Sequence, residues 1–533
     1  MLIIVLTGLT SVNFPSVHAQ QTTDQTPNSW TQLTSMLTPR AGLGTAVIDG
    51  KIYAIGGTSD NLPVNSNEQY DPFTDTWTTE AAMPTARSGV AVAVYQNKIY
   101  VIGGTVGGTS FVGNNEVYDP TTNTWETRAS MPTPRADLNA VVVGDKIYLI
   151  GGEEYSSVSP NFVQTNINEV YDPVNNTWST AVSCITPVYG YASATINGKI
   201  YIIGGAKSPG NTFVNTNQVY DPQINQWSLD AELPALASYG AAAATEGYMA
   251  PSQIDFIGGY FSGSFQRSTQ VFYPNNDSWS TGASMPTTRA YLSLAVVNDI
   301  VYAIGGYDGT NWLNATEAYA PPGYGTVAPI VQITSPENKT YSSVILAFDV
   351  NRGAQWIGYS LDNQANETIT GDVELSYLTQ GGHKLVIYAN DSAGNMGASN
   401  TVYFSINTLP PKITFLTPQN TSYGSGDIQL TFVTSEPPAW ISYNLDNQGN
   451  VTIIGNVTLP ALPNGSHSLT VYASDVVGNI GSVTVDFTIV TFPLVPVAAT
   501  ITTIVIVLAA GILLYRRKKS GESPRTTAPK QNT

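Results

Sequence analysis

With 533 residues the chain is too long for one hydrophobic core, so several domains are expected. Charged residues are only 11% of it while glycine numbers 47 and proline 33, which excludes a mainly helical protein and points to an all-β class of short strands and many turns. The formal net charge is −17 although six cations, Arg516, Arg517, Lys518, Lys519, Arg525 and Lys530, crowd the C-terminal end; the rest of the chain therefore repels phosphate backbones, and nucleic acid is excluded as its partner.

At the start, the apolar run Leu2 to Leu9 gives way to Ser11, Asn13 and Pro15 and then to Val17-His18-Ala19 before Gln20, a small-residue cleavage pattern. Residues 1–19 are expected to be a signal peptide, with the departure that no Lys or Arg follows Met1. Cys184 has no second cysteine to pair with, so packing must hold the chain together.

Next comes a repeat. Gly-Gly follows an apolar strand at Gly56-Gly57, Gly103-Gly104, Gly151-Gly152, Gly204-Gly205, Gly258-Gly259 and Gly305-Gly306, and each pair is preceded by a hairpin such as Gly44 to Ile48, Asp49-Gly50, Lys51 to Ile55. Downstream, an aromatic residue precedes a tryptophan by a constant interval: Tyr70 and Trp77, Tyr118 and Trp125, Tyr171 and Trp178, Tyr220 and Trp227, Phe272 and Trp279. This pattern resembles the kelch repeat, and the resemblance implies a four-stranded propeller blade per unit over residues 27–325. Tyr319 has no tryptophan after it, but Trp30 stands before Met36 and Arg40 as Trp77 stands before Met83 and Arg87. The N-terminal strand is therefore expected to complete the last blade and close a six-bladed kelch-type β-propeller.

A second repeat follows. Trp356 to Gln364 recurs as Trp440 to Gln448, and Asp391-Ser392-Ala393-Gly394-Asn395 as Asp475-Val476-Val477-Gly478-Asn479. With alternating strands such as Lys384 to Tyr388, residues 328–407 and 410–490 look like tandem Ig-like β-sandwiches of the kind bacteria and archaea string along surface proteins, without the antibody cysteine pair. Residues 494–515 carry no charge and are long enough, at about 1.5 Å per residue, to form one transmembrane helix. Arg516-Arg517-Lys518-Lys519 after it assigns 516–533 to a cytoplasmic tail and everything before the helix to the outside, which makes a single-pass cell-membrane protein. Sequons at Asn175, Asn276, Asn314, Asn338, Asn366, Asn390, Asn420, Asn450, Asn456 and Asn464 lean towards a glycosylated exterior.

The chemistry-bearing residues are sparse. The glycine pairs recur at one blade position and lead into no helix, which makes them structural rather than phosphate-binding. Histidine is confined to His18, His383 and His467, so a copper site like that of kelch-type galactose oxidases has no imidazole in the propeller, and no cofactor or metal is expected. His383 and His467 occupy equivalent positions and suit a turn role; Asx turns at Asp391 and Asp475 are favoured over calcium.

Arg40, Arg87, Arg135 and Arg289 occur in the repeats that carry Glu68, Glu116, Glu169 and Glu317. Where the arginine becomes Val188 or Ala237, the glutamate becomes Gln218 or Gln270. That covariation predicts intra-blade ion pairs, with a cationic ring for an acidic ligand or a catalytic glutamate as the alternative. The long loops share one face of the propeller and carry the candidate ligand-binding residues Phe111, Tyr155, Phe213, Tyr260, Phe261, Phe265, Tyr307, Asp308 and Trp312 among neutral hydrogen-bonding groups. The resulting expectation is a cell-surface binding or adhesion protein for an extracellular glycan or protein. The alternatives are a carbohydrate-active enzyme of epimerase or lyase type, favoured by Glu153-Glu154-Tyr155 and Asp308, and a receptor signalling through its tail, disfavoured because that tail is short.

Overall fold

The structure, a computed structural model, describes residues 25–107, 110–156, 162–208, 212–424, 427–491, 507–513 and 515–516. The expected signal peptide, most of the expected membrane span and nearly all of the tail lie outside the described residues. Among the described residues 507–513 are helical, and no helix is long and apolar enough to cross a membrane.

The N-terminal part is built of four-stranded antiparallel sheets. Sheet 1 consists of Gly44–Ile48, Lys51–Ile55, Asn67–Asp71 and Thr76–Thr79, in that spatial order. Sheets 2 to 5 repeat it within residues 91–128, 139–181, 192–230 and 241–282, and sheet 6 takes Ser293–Val297, Ile300–Ile304 and Thr316–Ala320. Its fourth strand is Ser29–Gln32, paired in register with Ala320 to Glu317. First strands neighbour one another in turn, and the first strand of sheet 6 lies against that of sheet 1, so the ring closes as a kelch-type β-propeller.

The recurring aromatics explain the seams between sheets. Tyr70 packs on Trp77 with ring centroids 5.1 Å apart, and Trp30 stacks on Tyr319 at 4.9 Å. Each tryptophan donates its indole N–H to a carbonyl of the preceding sheet, as Trp125 does to Ala81 at 2.8 Å and Trp30 to Ala283 at 2.8 Å. The turn residue five positions after the tyrosine completes the seam: Asn123 accepts from Tyr118 Oη and from the Ala81 amide, and Asn28 does the same for Tyr319 and Ala283. The N-terminal strand thus makes the same seam bonds as its counterparts.

Each glycine pair has positive φ at both residues, for example +65° and +101° at Gly56 and Gly57. A Cβ on Gly56 would stand 2.7 Å from the Arg87 carbonyl, and that same carbonyl accepts the Gly57 amide at 2.8 Å. The pair is where one sheet is bonded to the next, so a side chain would block the seam.

Residues 331–489 form two further β units. In the first, Val331–Ser335, Ile345–Val350 and Val373–Glu374 make one sheet; the other contains Trp356–Leu361, Gly381–Asn390 and Val402–Ile406. The second repeats this with Ile413–Thr417, Gln429–Thr434 and Val457–Thr458 against Trp440–Leu445, Gly465–Ser474 and Ile480–Ile489. Each has its own core, around Leu346, Leu385 and Ile387 in one and Leu430, Leu469 and Val471 in the other. His383 is held by Asp362 at 2.8 Å and the Thr379 carbonyl at 2.8 Å, and His467 by Asp446 at 2.7 Å and the Pro463 carbonyl at 2.9 Å, so both ring nitrogens of each are occupied.

Candidate functional site

Because strands alternate direction, the loops after the glycine pairs emerge on one face and the tight hairpin turns on the other. On the long-loop face the aromatics of three successive loops touch. Phe213 meets Phe261 at 5.2 Å and Tyr260 at 6.0 Å, Tyr260 meets Phe265 at 5.1 Å, Phe265 meets Tyr307 at 5.7 Å, and Tyr307 meets Trp312 at 5.3 Å. All six are half-buried, so the band is fixed by its own packing while part of each ring faces solvent.

The other candidates are not part of this band. Phe111 makes an edge contact with Phe162 at 5.6 Å on the far side of the ring, and Tyr155 is 58% exposed at a loop tip. Asp308 accepts the Thr310 amide at 2.8 Å and the Asn311 amide at 2.7 Å, so its carboxylate closes its own loop.

The four arginines and glutamates lie beneath this face as buried pairs. Arg87 is 2.8 Å from Glu116, Arg135 is 2.7 Å from Glu169, Arg289 is 2.9 Å from Glu317, and Arg40 is a looser 3.6 Å from Glu68. Each arginine also donates to backbone carbonyls, as Arg87 does to Gly103 at 2.6 Å and Asn114 at 3.1 Å, and to a methionine sulfur, Met83. The guanidinium therefore serves carbonyls that the glycine pair turns out of the sheet ladder. Gln218 replaces the pair by accepting the Thr186 amide at 2.7 Å and donating to the Thr186 carbonyl at 3.0 Å. None of these side chains is exposed enough to present a cationic ring to a ligand.

At the axis, two residues after each arginine slot, stand Gly42, Gly89, Asp137, Gly190, Tyr239 and Tyr291, all with φ between +51° and +63°. Their backbones form a closed ring: Gly89 N donates to Gly42 O, Asp137 N to Gly89 O, Gly190 N to Asp137 O, Tyr239 N to Gly190 O, Tyr291 N to Tyr239 O and Gly42 N to Tyr291 O, at 2.6 to 3.1 Å. A cavity of about 80 Å³ opens on this ring. Three of its six positions are glycine, and the others supply one carboxylate and two phenols, Tyr239 and Tyr291 being stacked at 4.2 Å.

Glu153 adjoins the ring through a backbone bridge to Ala136, where other sheets have Thr58, Thr105, Ala206, Tyr260 and Tyr307. Burial pushes the Asp137 carboxyl up to about 6 and that of Glu153 up to about 7, with the Asp137 charge adding to the second. Asp137, Tyr239 and Tyr291 were missing from the candidates read off the sequence. The signal was present in Arg135-Ala136-Asp137, Ser238-Tyr239 and Arg289-Ala290-Tyr291, where Arg40-Ala41-Gly42 and Arg87-Ser88-Gly89 have glycine.

Two family models match the chain. The Attractin/LZTR1 β-propeller covers residues 105–393, more than half of it, and the KLHDC2/KLHL20/DRC7 kelch-repeats domain covers residues 3–152. Among curated proteins, Halomucin of Haloquadratum walsbyi is 33% identical over 129 residues, which are 22% of this chain and 1% of that protein. Human Kelch-like protein 4 is 41% identical over 46 residues, 9% of this chain and 6% of its own length. The chain thus spans only a small part of the curated relatives it matches. A solved structure, that of YjhT, is 18% identical with a TM-score of 0.47 and covers 60% of this chain and 99% of its own.

Proposed function

We propose, because the chain belongs to the Attractin/LZTR1 β-propeller family, that it is a binding scaffold whose long-loop face recognises an extracellular protein or glycan. In this reading the six sheets are the blades of a six-bladed propeller, the two β units are Ig-like sandwiches that form a stalk, and residues 494–515 anchor the stalk in a cell membrane with the propeller outside.

The observation that carries the reading is the band Phe213, Tyr260, Phe261, Phe265, Tyr307 and Trp312. Rigid aromatic area beside neutral hydrogen-bonding loops is the composition of recognition hot spots, and it lies on one face only. The path of the chain supports the same face. It leaves sheet 6 at Ala320 on the tight-turn side, where the Tyr248 carbonyl accepts from Arg352 of the first β unit and the Met249 carbonyl accepts from Gly325 at 2.7 Å. The stalk thus occupies the tight-turn side and the long loops point away from it. The sequons at Asn175, Asn276, Asn338, Asn366, Asn420, Asn450, Asn456 and Asn464 are exposed, as glycan attachment requires, while Asn314 and Asn390 are half-buried.

The test is binding of the full chain to a glycan array and to a panel of extracellular proteins, with Phe261→Ala and Trp312→Ala in parallel. A hot-spot aromatic is worth at least about 2 kcal/mol, so each substitution is expected to weaken the specific interaction roughly 30-fold. Product formation from a glycan would instead favour the carbohydrate-active alternative, which the raised carboxyls of Asp137 and Glu153 support.

A further inference from the structure

The axial cavity is unlike anything the sheet repeat requires. Glycine suffices at Gly42, Gly89 and Gly190 to close the backbone ring, so the carboxylate and phenols of Asp137, Tyr239 and Tyr291 are not needed to hold the propeller together. The Asp137 carboxylate leans over Gly89, where a Cβ would stand 2.7 Å from its Oδ1, and the Tyr239 ring leans over Gly190 in the same way. The glycines thus keep the cavity open, while the larger residues line it with negative charge and aromatic surface. No ion pair among the described residues reaches Asp137 or Glu153: the nearby Arg135 is spent on Glu169 and four carbonyls.

Size narrows the occupant. A cavity of about 80 Å³ exceeds the roughly 30 Å³ share of one water but falls well short of the about 300 Å³ at which pockets enclose a whole small molecule. It suits the head of one side chain.

The geometry points to the axial cavity as a socket for a single organic cation, the guanidinium or ammonium head of an Arg or Lys side chain on a protein partner, held between the Asp137 carboxylate and the Tyr239 and Tyr291 rings. Carboxylate and aromatic face both attract a cation, and neither offers anything to an anion. This deepens the reading of the long-loop face as a recognition surface and rests on it, with the aromatic band supplying area around a charged centre. The groups that face Asp137 are Glu153, Tyr189, Tyr239 and Tyr291. Since burial raises both carboxyls, a cation must displace protons as the pH falls.

The test uses the full chain and two isosteric probes, N-acetyl-arginine amide and N-acetyl-citrulline amide, titrated by saturation-transfer NMR at pH 8 and pH 5. The arginine probe is expected to bind saturably at pH 8, at least tenfold more tightly than the citrulline probe and several-fold more weakly at pH 5. Asp137→Gly reproduces the residue of sheets 1, 2 and 4 at this position, leaves the ring bonds available, and should abolish the preference for arginine. Equal binding of the two probes, no binding, or an unchanged preference in Asp137→Gly would each overturn the socket. Those results would leave the role of Phe261 and Trp312 in partner binding intact, whereas loss of all partner binding in the wild-type chain would count against the recognition face itself.

Discussion

Buried arginine is costly unless every donor finds a partner, and the four arginines of the propeller show how the requirement propagates. Arg135 engages Glu169 at 2.7 Å, the Gly151 carbonyl at 2.6 Å and Met131 Sδ at 3.5 Å; sheet 4 replaces the whole set with Val188, Gln218 and Cys184. Three positions change together, two of which were legible as covariation in the sequence. The third, Met131 to Cys184, was not, because a methionine gives no sign in sequence that its sulfur receives a guanidinium. Arg135→Val alone strands Glu169 without its cation and is expected to cost about 3–5 kcal/mol in urea unfolding. Adding Glu169→Gln should recover at least half of that, and a double variant no more stable than the single one would refute the coupling. Asp255 is a second residue of this kind. It stands, fully buried, where the other sheets have Tyr53, Tyr100, Tyr148, Tyr201 and Tyr302, with Gln253 Nε2 donating to it at 3.2 Å and Gln253 Oε1 left unpartnered. Burial raises its carboxyl to about 7, so the folded state favours the protonated form; the stability this confers is complete below about pH 4 and is lost as the pH climbs to about 7. Asp255→Asn should flatten that part of the stability profile and exceed the wild type at pH 8. Parallel profiles for the two proteins would rule it out.

Among the elements, the strand Ser29–Gln32 bears the most on integrity, because it carries the N-terminal end of the chain into the last sheet of the ring. Trp30 stacks on Tyr319 and bonds across to Ala283, so Trp30→Ala removes both a packing contact of sheet 6 and one of its ties to sheet 5. A loss of about 3–5 kcal/mol is expected, with hydrogen exchange rising first in Thr316–Ala320; exchange spread evenly over all the sheets would contradict a local closure. This closure could be read from the spacing of Trp30, Met36 and Arg40 because repeats make equivalent positions visible. The extended hairpin of sheet 5 could not. Ala241–Ala244 and Ile254–Ile257 are joined by nine residues where the other sheets have a two-residue turn, and Asp299 accepts the amides of Glu246, Tyr248, Met249 and Ala250 at 2.6 to 3.0 Å to shape it. In sequence it registers only as a longer interval between glycine pairs, without a sign of what it meets. The axial ring was hidden for a related reason: its members lie in six different loops, and only the closed fold brings them together.

At the scale of the molecule, the same device joins successive units. Asn395 donates to the Gly325 carbonyl at 2.6 Å while its neighbour Asp391 pairs with Arg352; Asn479 donates to the Asn407 carbonyl at 2.8 Å while Asp475 accepts from Asn407. The Asp-x-x-Gly-Asn turns, legible as Asx turns, therefore also grip the linker before each β unit. Arg352 reaches from the first β unit to Tyr248 and Met249 of the propeller, so Arg352→Ala is expected to broaden the distribution of distances between propeller and first β unit measured by pulsed EPR. An unchanged width would mean the clamp does not set the geometry. With the first β unit bonded to the tight-turn side, the long loops are left uncovered by it, and the recognition role proposed for that face follows. Its most direct test is the affinity of the full chain for whichever protein or glycan the array identifies, compared across Phe261→Ala with Trp312→Ala on the long-loop face and Phe73→Ala with Ile224→Ala among the exposed apolar residues of the tight turns. The first pair is expected to weaken binding by roughly 30-fold or more and the second to leave it within about twofold; the reverse order would overturn the assignment of binding to the long-loop face.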